Sequence, residues 1–277
     1  IAGSYSNLGL FYTVDSGAIW YPSNKQDGQF FSVYLSGTNG IAASESNEGL
    51  WYTTNSGVDW APSTKATENF GSVFMSGMNG IAGGRSGNGL WYTSDGGANW
   101  FPGDKTTGNF VSVFISGMNG IAASSSNEGL WYTSNGGANW LPSDKSIGSF
   151  FSVSVVGTNG IAGSNSFEGL WYTVNSGANW TQSYKTNGDF RSVSMVGTNG
   201  IAGSNSGEGL WYTSNSGVDW TQSDKADNKF NSVFMSGTNG MAGSGSATGL
   251  WYTSNSGENW TQSTKSSGDF ISVHISG

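Results

Sequence analysis

Apolar and polar residues along this chain alternate in short bursts that suit strands rather than helices. The run from Phe190 to Val196 places Phe190, Val193 and Met195 among serines, and it ends at Gly197-Thr198-Asn199-Gly200. Asn-Gly between apolar runs is a strong hairpin signal, because both residues tolerate positive φ. The pattern therefore predicts a strand over 190–196 and a second over 201–204. A turn from Asn205 to Gly209 leads into a third strand over 210–213, and a turn from Ser214 to Gly217 into a fourth around Trp220. Pro22, Pro62, Pro102 and Pro142 all fall in that fourth strand. Proline cannot donate to a ladder, so the fourth strand is expected at an outer, unpaired edge.

The same burst returns along the whole chain. Gly-Leu-Trp-Tyr-Thr begins at Gly49, Gly89, Gly129, Gly169, Gly209 and Gly249, and Gly-Leu-Phe-Tyr-Thr at Gly9, a period of 40 with no insertion. Periods near 40 belong to helical-pair solenoids or to propeller blades, and four strands per unit decide for blades. Ile1 aligns with Ile41 and Ile201, so the chain opens at the second strand of a unit, whereas Phe270 to Gly277 reads as a first strand with nothing after it. The expected fold is all-β: a closed seven-bladed β-propeller of four-stranded antiparallel blades, one domain over 1–277, its first blade completed by the C-terminal strand. Closure of this kind leaves only short, protected edges.

Composition narrows the function classes. The 45 glycines and 39 aromatic residues fit many short strands joined by tight turns. A net charge of −8 with no Lys/Arg cluster repels phosphate backbones, so nucleic acid is not an expected partner. No stretch approaches the roughly 18 consecutive apolar residues that span a bilayer, and no membrane insertion is expected. The chain has no cysteine, hence no disulfide framework and no thiolate chemistry. Its one histidine, His274, shares an inner-strand position with Tyr34, Phe74, Phe114, Ser154, Ser194 and Phe234, and a lone histidine builds neither a Ser-His-Asp triad nor a histidine metal site. No metal and no cofactor are expected. A start at Ile1 without a signal-peptide pattern reads as a processed or trimmed product, with secretion as one explanation and an extracellular location as the expectation.

Between the third and fourth strands every unit carries Thr-x-Asp/Asn-x-Gly-x-x-Trp: Thr13, Asp15, Gly17 and Trp20 in the first, Thr93, Asp95, Gly97 and Trp100 in the third, with Asn55, Asn135, Asn175, Asn215 and Asn255 in the acidic place elsewhere. The side chain at that place can cap turn amides, glycine supplies positive φ, and tryptophan packs beneath. This turn resembles the Asp box, or bacterial neuraminidase repeat, of sialidases, sortilin-type receptors, some glycoside hydrolases and photosystem II assembly factors. The resemblance covers all seven units. It implies a propeller, with the box on the face opposite the usual active site. Sialidases clamp a carboxylate with three arginines, whereas this chain has only Arg85 and Arg191, and the arginine patch of the assembly factors is absent too. Glycosidase chemistry needs two carboxylates of divergent environment in one cleft, which sevenfold repetition works against. No enzymatic activity is expected.

Each unit places a lysine in the connection after its fourth strand: Lys25, Lys65, Lys105, Lys145, Lys185, Lys225 and Lys265. Four units add a carboxylate in the turn between second and third strands, namely Glu48, Glu128, Glu168 and Glu208, while Leu8, Asn88 and Thr248 stand in that place elsewhere. One reading pairs these charges as exposed salt bridges across blades, worth about 0.2–1 kcal/mol each. The other is a ring of shallow sites in which Glu48 and Lys65, Glu128 and Lys145, Glu168 and Lys185, Glu208 and Lys225 offer acceptors and donors to sugar hydroxyls. Trp51, Trp131, Trp171 and Trp211 would supply the aromatic wall, or else core packing. On the second reading the protein is a multivalent, lectin-like binder of glycans or glycoproteins, gaining avidity from repetition. The alternatives are a protein-binding scaffold or receptor module and, third, a hydrolase fragment. The sequons at Asn179 and Asn259 lie within the box turn, where a glycan would disturb the fold, and read as accidental.

Overall fold

The computed structural model describes every residue except Tyr5, 16–18, Ser166, Ile271 and 274–277. Among the described residues every regular element is a strand, and the strands form seven antiparallel sheets. Blade 1 consists of Ala2–Gly3, Leu10–Tyr12 and Tyr21–Pro22. Blade 2 is the four-stranded meander Phe30–Ser36, Asn39–Ser44, Leu50–Thr53 and Ala61–Pro62, and blades 3 to 7 repeat it from Phe70, Phe110, Phe150, Phe190 and Phe230. The chain divides into two compact units, Ile1–Pro142 with blades 1 to 4 and Ser143–Gly277 with blades 5 to 7.

The inner strand explains the alternation seen in the sequence. In blade 6, Phe190, Val193 and Met195 are buried, and a bulge between Phe190 and Ser192 sets their register against Asn199–Ser204. The intervening serines are not surface filler. Val233 N donates to Ser192 Oγ at 2.9 Å and Met235 N to Ser194 Oγ at 3.0 Å, so hydroxyls of one inner strand take amides of the next. Val73 N and Val113 N use Ser32 and Ser72 in the same way within the first unit. Core layers accordingly form between neighbouring blades. One joins Ile81 and Leu90 of blade 3 to Phe110, Val113, Ile115, Ala122 and Trp140 of blade 4, and the second unit repeats it with Ile161, Leu170, Phe190, Val193, Met195, Ala202 and Trp220.

The hairpin between first and second strands departs from the expected Asn-Gly turn. Val196 pairs with Asn199, so the loop is Gly197-Thr198, and the positive φ of 61° sits on Gly197. Glycine first in a two-residue loop is the other favoured hairpin geometry. Gly200 is needed for space instead, since a Cβ there would lie 3.0 Å from Thr213 Cγ2. The fourth strand is shorter than expected, only two residues, and Trp220 precedes it at Thr221–Gln222. Ser63 N donates to Leu50 O at 3.0 Å, which turns the amide of position 62 outward, so proline there gives up no ladder bond.

Of the expected closing strand, Ile271 and 274–277, including His274, lie outside the described residues. Its described residues 270, 272 and 273 form no regular strand, so blade 1 counts three strands among the described residues, but their hydrogen bonds to blade 7 are those of an inner strand. Phe270 N donates to Ser244 O at 2.9 Å and Val273 N to Ser232 Oγ at 3.0 Å, as Phe30 N does to Ser4 O in the first unit and Val233 N to Ser192 Oγ in the second.

Blade spacing leaves the box-turn glycine no alternative. Gly137, in the box turn of blade 4, has a φ of 100°, and a Cβ there would lie 2.8 Å from Ile81 Cγ2 and 2.9 Å from Tyr92 Cβ of blade 3. Gly77 shares the positive φ but has nothing within 4 Å. Gly137→Ala should cost about 3 kcal/mol, strain plus overpacking, and Gly77→Ala about 1 kcal/mol. Urea melts of the two variants check this, and equal losses would contradict the close-approach account.

Candidate functional site

The lysines of the blade connections reach forward. Leu10 N donates to Lys25 O at 2.8 Å, which ties the Lys25 backbone to blade 1, while its ammonium lies 4.5 Å from the Trp51 ring and 2.8 Å from Glu48 Oε2 in blade 2. Lys105 meets Trp131 at 4.6 Å and Glu128 at 2.7 Å. Lys145 meets Trp171 at 4.5 Å and Glu168 at 2.6 Å, and Lys185 meets Trp211 at 4.5 Å and Glu208 at 2.6 Å. Each indole also stands edge-on to the first residue of its inner strand, as Trp131 does to Phe110 with ring centroids 6.5 Å apart. The candidate residues thus come together, but as clamps: Glu48 engages Lys25 of the preceding connection rather than Lys65 of the following one.

These are not exposed surface pairs. The lysine side chains of the clamps are 11–17% exposed and the four glutamates 30–33%. Burial alone would lower the Lys25 pKa, yet hydrogen bonds to Asp27 and Glu48 outweigh it and hold the ammonium above the usual lysine range. The ammonium lies over the indole, and each clamp leaves part of a half-buried indole and the edge of its carboxylate exposed.

Where the turn glutamate is missing, the connection supplies the acid. Asn88 and Thr248 leave blades 3 and 7 without it, and there Lys65 pairs with Glu68 at 2.7 Å while Lys225 pairs with Asp227, each still over its tryptophan. The exchange is steric as well as electrostatic. A Cβ on Gly28, Gly108, Gly148 or Gly188 would lie 2.7, 2.9, 3.3 or 3.1 Å from a carboxylate oxygen of Glu48, Glu128, Glu168 or Glu208. Glu68 and Asn228, at positive φ, occupy that glycine's place where the turn glutamate is absent. The signal for this pairing is in the repeats themselves, where Gly28, Gly108, Gly148 and Gly188 each precede a glutamate by twenty positions.

On the other side of each blade the Thr-x-Asp/Asn-x-Gly-x-x-Trp turn closes on itself. In blade 3, Thr93 Oγ1 donates to Asp95 Oδ1 at 2.8 Å, Gly97 N to Thr93 Oγ1 at 3.2 Å, Asn99 N to Asp95 Oδ1 at 3.0 Å, and Trp100 Nε1 to Gly97 O at 2.8 Å. A second cap, missed in the sequence, comes from the preceding blade. Trp60 N donates to Asn24 Oδ1, Trp100 N to Thr64 Oγ1, Trp140 N to Asp104 Oδ1, Trp180 N to Asp144 Oδ1 and Trp260 N to Asp224 Oδ1, all at 2.7–3.0 Å. Two shallow clefts open beside these turns. One of about 280 Å³ is lined by Asn24, Tyr52, Asn55, Asp59, Trp60 and Ala61; the other, of about 320 Å³, lies by Tyr172, Tyr184 and Val218. Among the described residues no group of three acidic or histidine side chains is placed to hold a metal ion.

Solved structures decide the architecture. A computationally designed protein, Ika8, superposes with a TM-score of 0.68 at 8% identity, covering 88% of this chain and 78% of its own. YCF48 from Cyanidioschyzon merolae gives 0.63 at 19% identity, covering 87% and 86%. The fold is a β-propeller. YCF48 has also been solved bound to D1 peptide, where it superposes with a TM-score of 0.64 at 17% identity over 86% of this chain and 82% of that one. An ancestral GH74 enzyme superposes at 0.62 with 15% identity, and this chain spans 37% of its length. No family model and no curated protein matches the sequence.

The turn makes a pH prediction. Burial alone would raise the Asp95 pKa, but hydrogen bonds from Asn99 and Thr93 prevail and hold it below the ordinary 3.8. Its stabilisation is therefore present above the unfolded value and lost as pH falls through the lower folded one. Asp95→Asn, the residue blade 4 uses at Asn135, should leave stability at pH 7 within about 0.5 kcal/mol and flatten its loss below about pH 4. Parallel melts at pH 7 and pH 3 read this out, and an unchanged acid slope would contradict it.

Proposed function

We propose that the protein is a multivalent, lectin-like carbohydrate binder with shallow sites repeated at the blade junctions. The observation that supports this reading is equivalence. Four junctions repeat one arrangement of indole, ammonium and carboxylate to within 0.2 Å in the ion pair, and each leaves about a third of its carboxylate exposed. A single acceptor edge is a weak sugar contact, and repetition turns weak contacts into avidity on a glycan-coated surface. That use places the protein outside the cell.

We further assign the Thr-x-Asp/Asn-x-Gly-x-x-Trp turns to the Asp box, on their residue pattern and the capping by Asp95 and Thr93, and read the chain as non-catalytic. Supporting the latter, each turn glutamate is committed to a lysine, and the only arginines are Arg85, paired with Glu45 over Phe31, and Arg191 over Phe151. A protein-binding scaffold is the second reading. It is favoured by breaks in the symmetry, above all the stack of Tyr34, Phe74 and Phe114 on inner strands of the first unit, with ring centroids 4.0 Å apart.

A glycan array should give hits that haemagglutination confirms, and calorimetry should give more than one site per chain. Glu128→Gln and Glu168→Gln should each weaken their site roughly 10- to 100-fold, the loss of one charged hydrogen bond. A blank array with no agglutination contradicts the lectin reading. Unchanged stoichiometry and affinity in both variants removes the carboxylates from the site.

A further inference from the structure

Tyr184 breaks a rule that five of its equivalents keep. Asn24, Thr64, Asp104, Asp144 and Asp224 each turn a short oxygen acceptor onto the box-tryptophan amide of the next blade. Tyr184 stands in that place before Trp220, and its side chain is 80% exposed. Its backbone holds the usual course, with Tyr184 N donating to Val218 O at 3.2 Å. Among the described residues no side chain takes over the Trp220 amide. An exposed aromatic that gives up a repeated cap is a local cost with no structural return, and such departures concentrate at functional sites.

The cleft of about 320 Å³ lies at this departure, lined by Tyr172, Thr181, Gln182, Ser183, Tyr184, Thr186 and Val218, all uncharged. Gln182 Nε2 donates to Glu168 O at 2.8 Å, which fixes its amide, and the neighbouring Lys185 is turned away onto Trp211 and Glu208. The hydroxyls of Thr181, Thr186 and Tyr172 find no partner among the described residues. We propose that this cleft is a binding site for a neutral pyranose, which stacks its C–H face on Tyr184 and exchanges hydrogen bonds with Thr181, Thr186 and Gln182. An aromatic face beside short, neutral donors and acceptors suits a sugar ring, and the uncharged lining selects against sialic and uronic acids. The inference rests on the carbohydrate reading above but concerns a place of its own, marked by Tyr184, the one tyrosine among the seven equivalent positions.

The test is saturation-transfer NMR and calorimetry with methyl α-D-mannopyranoside, methyl β-D-galactopyranoside and methyl α-L-fucopyranoside, against methyl α-glycosides of N-acetylneuraminic and glucuronic acid. At least one neutral glycoside should bind with millimolar affinity and the acids at least tenfold more weakly. Tyr184→Phe should keep affinity within about threefold, since the ring carries the stacking. Tyr184→Asp restores the cap seen at Asp144, so it should remove this site while raising the melting temperature, a combination that a purely structural role does not produce. Sites and affinities unchanged in Tyr184→Asp, or a preference for the acids, would overturn the assignment and leave the lectin reading standing. Failure of every glycoside together with a blank array overturns both.

Discussion

A lysine ammonium held between an indole face and a carboxylate is the contact on which the packing of neighbouring blades depends. Lys25, Lys65, Lys105, Lys145, Lys185 and Lys225 all make it. A cation on an aromatic face is worth about 2 kcal/mol when largely desolvated, as these are, and the carboxylate prevents the burial from leaving an unpaired charge. The sheets themselves are slight, ending in outer strands of two residues, so their stability has to come from what lies between them. Inner-strand serines, the isoleucine–phenylalanine layers and the clamps together form that contact.

A carboxylate for each clamped lysine is a constraint that the chain satisfies in two ways, and at Lys25, which meets both Glu48 and Asp27, in both at once. Either the turn glutamate reaches in over a glycine, as Glu128 does over Gly108, or the connection supplies its own acid, as Glu68 does for Lys65. Both solutions pair the ammonium, although the connection aspartate Asp227 is 72% exposed and the turn glutamates only about a third. The glutamates therefore carry structure first, and a ligand meets the carboxylate edge that the lysine leaves open together with the half-buried indole. Departures from repetition are then the informative places, and Tyr184, which gives up a cap, is the clearest.

Much of the fold was legible because a period of 40 reports every element seven times. Strand ranges such as 190–196 and 210–213 and the prolines at the outer edge followed from alternation and from ladder chemistry. The hairpin turn was drawn two residues too long, over 197–200 instead of 197–198, because Asn-Gly is a strong local signal, whereas Gly200 answers to Thr213 on a neighbouring strand. Trp51, Lys25 and Glu48 were recognisable as a repeated set, but which lysine meets which glutamate depends on how one blade packs on the next. The caps on the box tryptophans were hidden for the same reason, since Asp104 and Trp140 are 36 residues apart and meet only across a junction.

The exchange between the two carboxylate sources offers the most direct test. Glu68→Gly with Asn88→Glu converts the Lys65 junction into the form found at Lys105, with Gly108 and Glu128. In urea melts the double variant should lie within about 0.5 kcal/mol of the parent, and the cycle built from the two single variants should show a coupling of at least about 1 kcal/mol in its favour. Additive effects of the two substitutions, with no coupling, would contradict the claim that each lysine requires one carboxylate at its tryptophan.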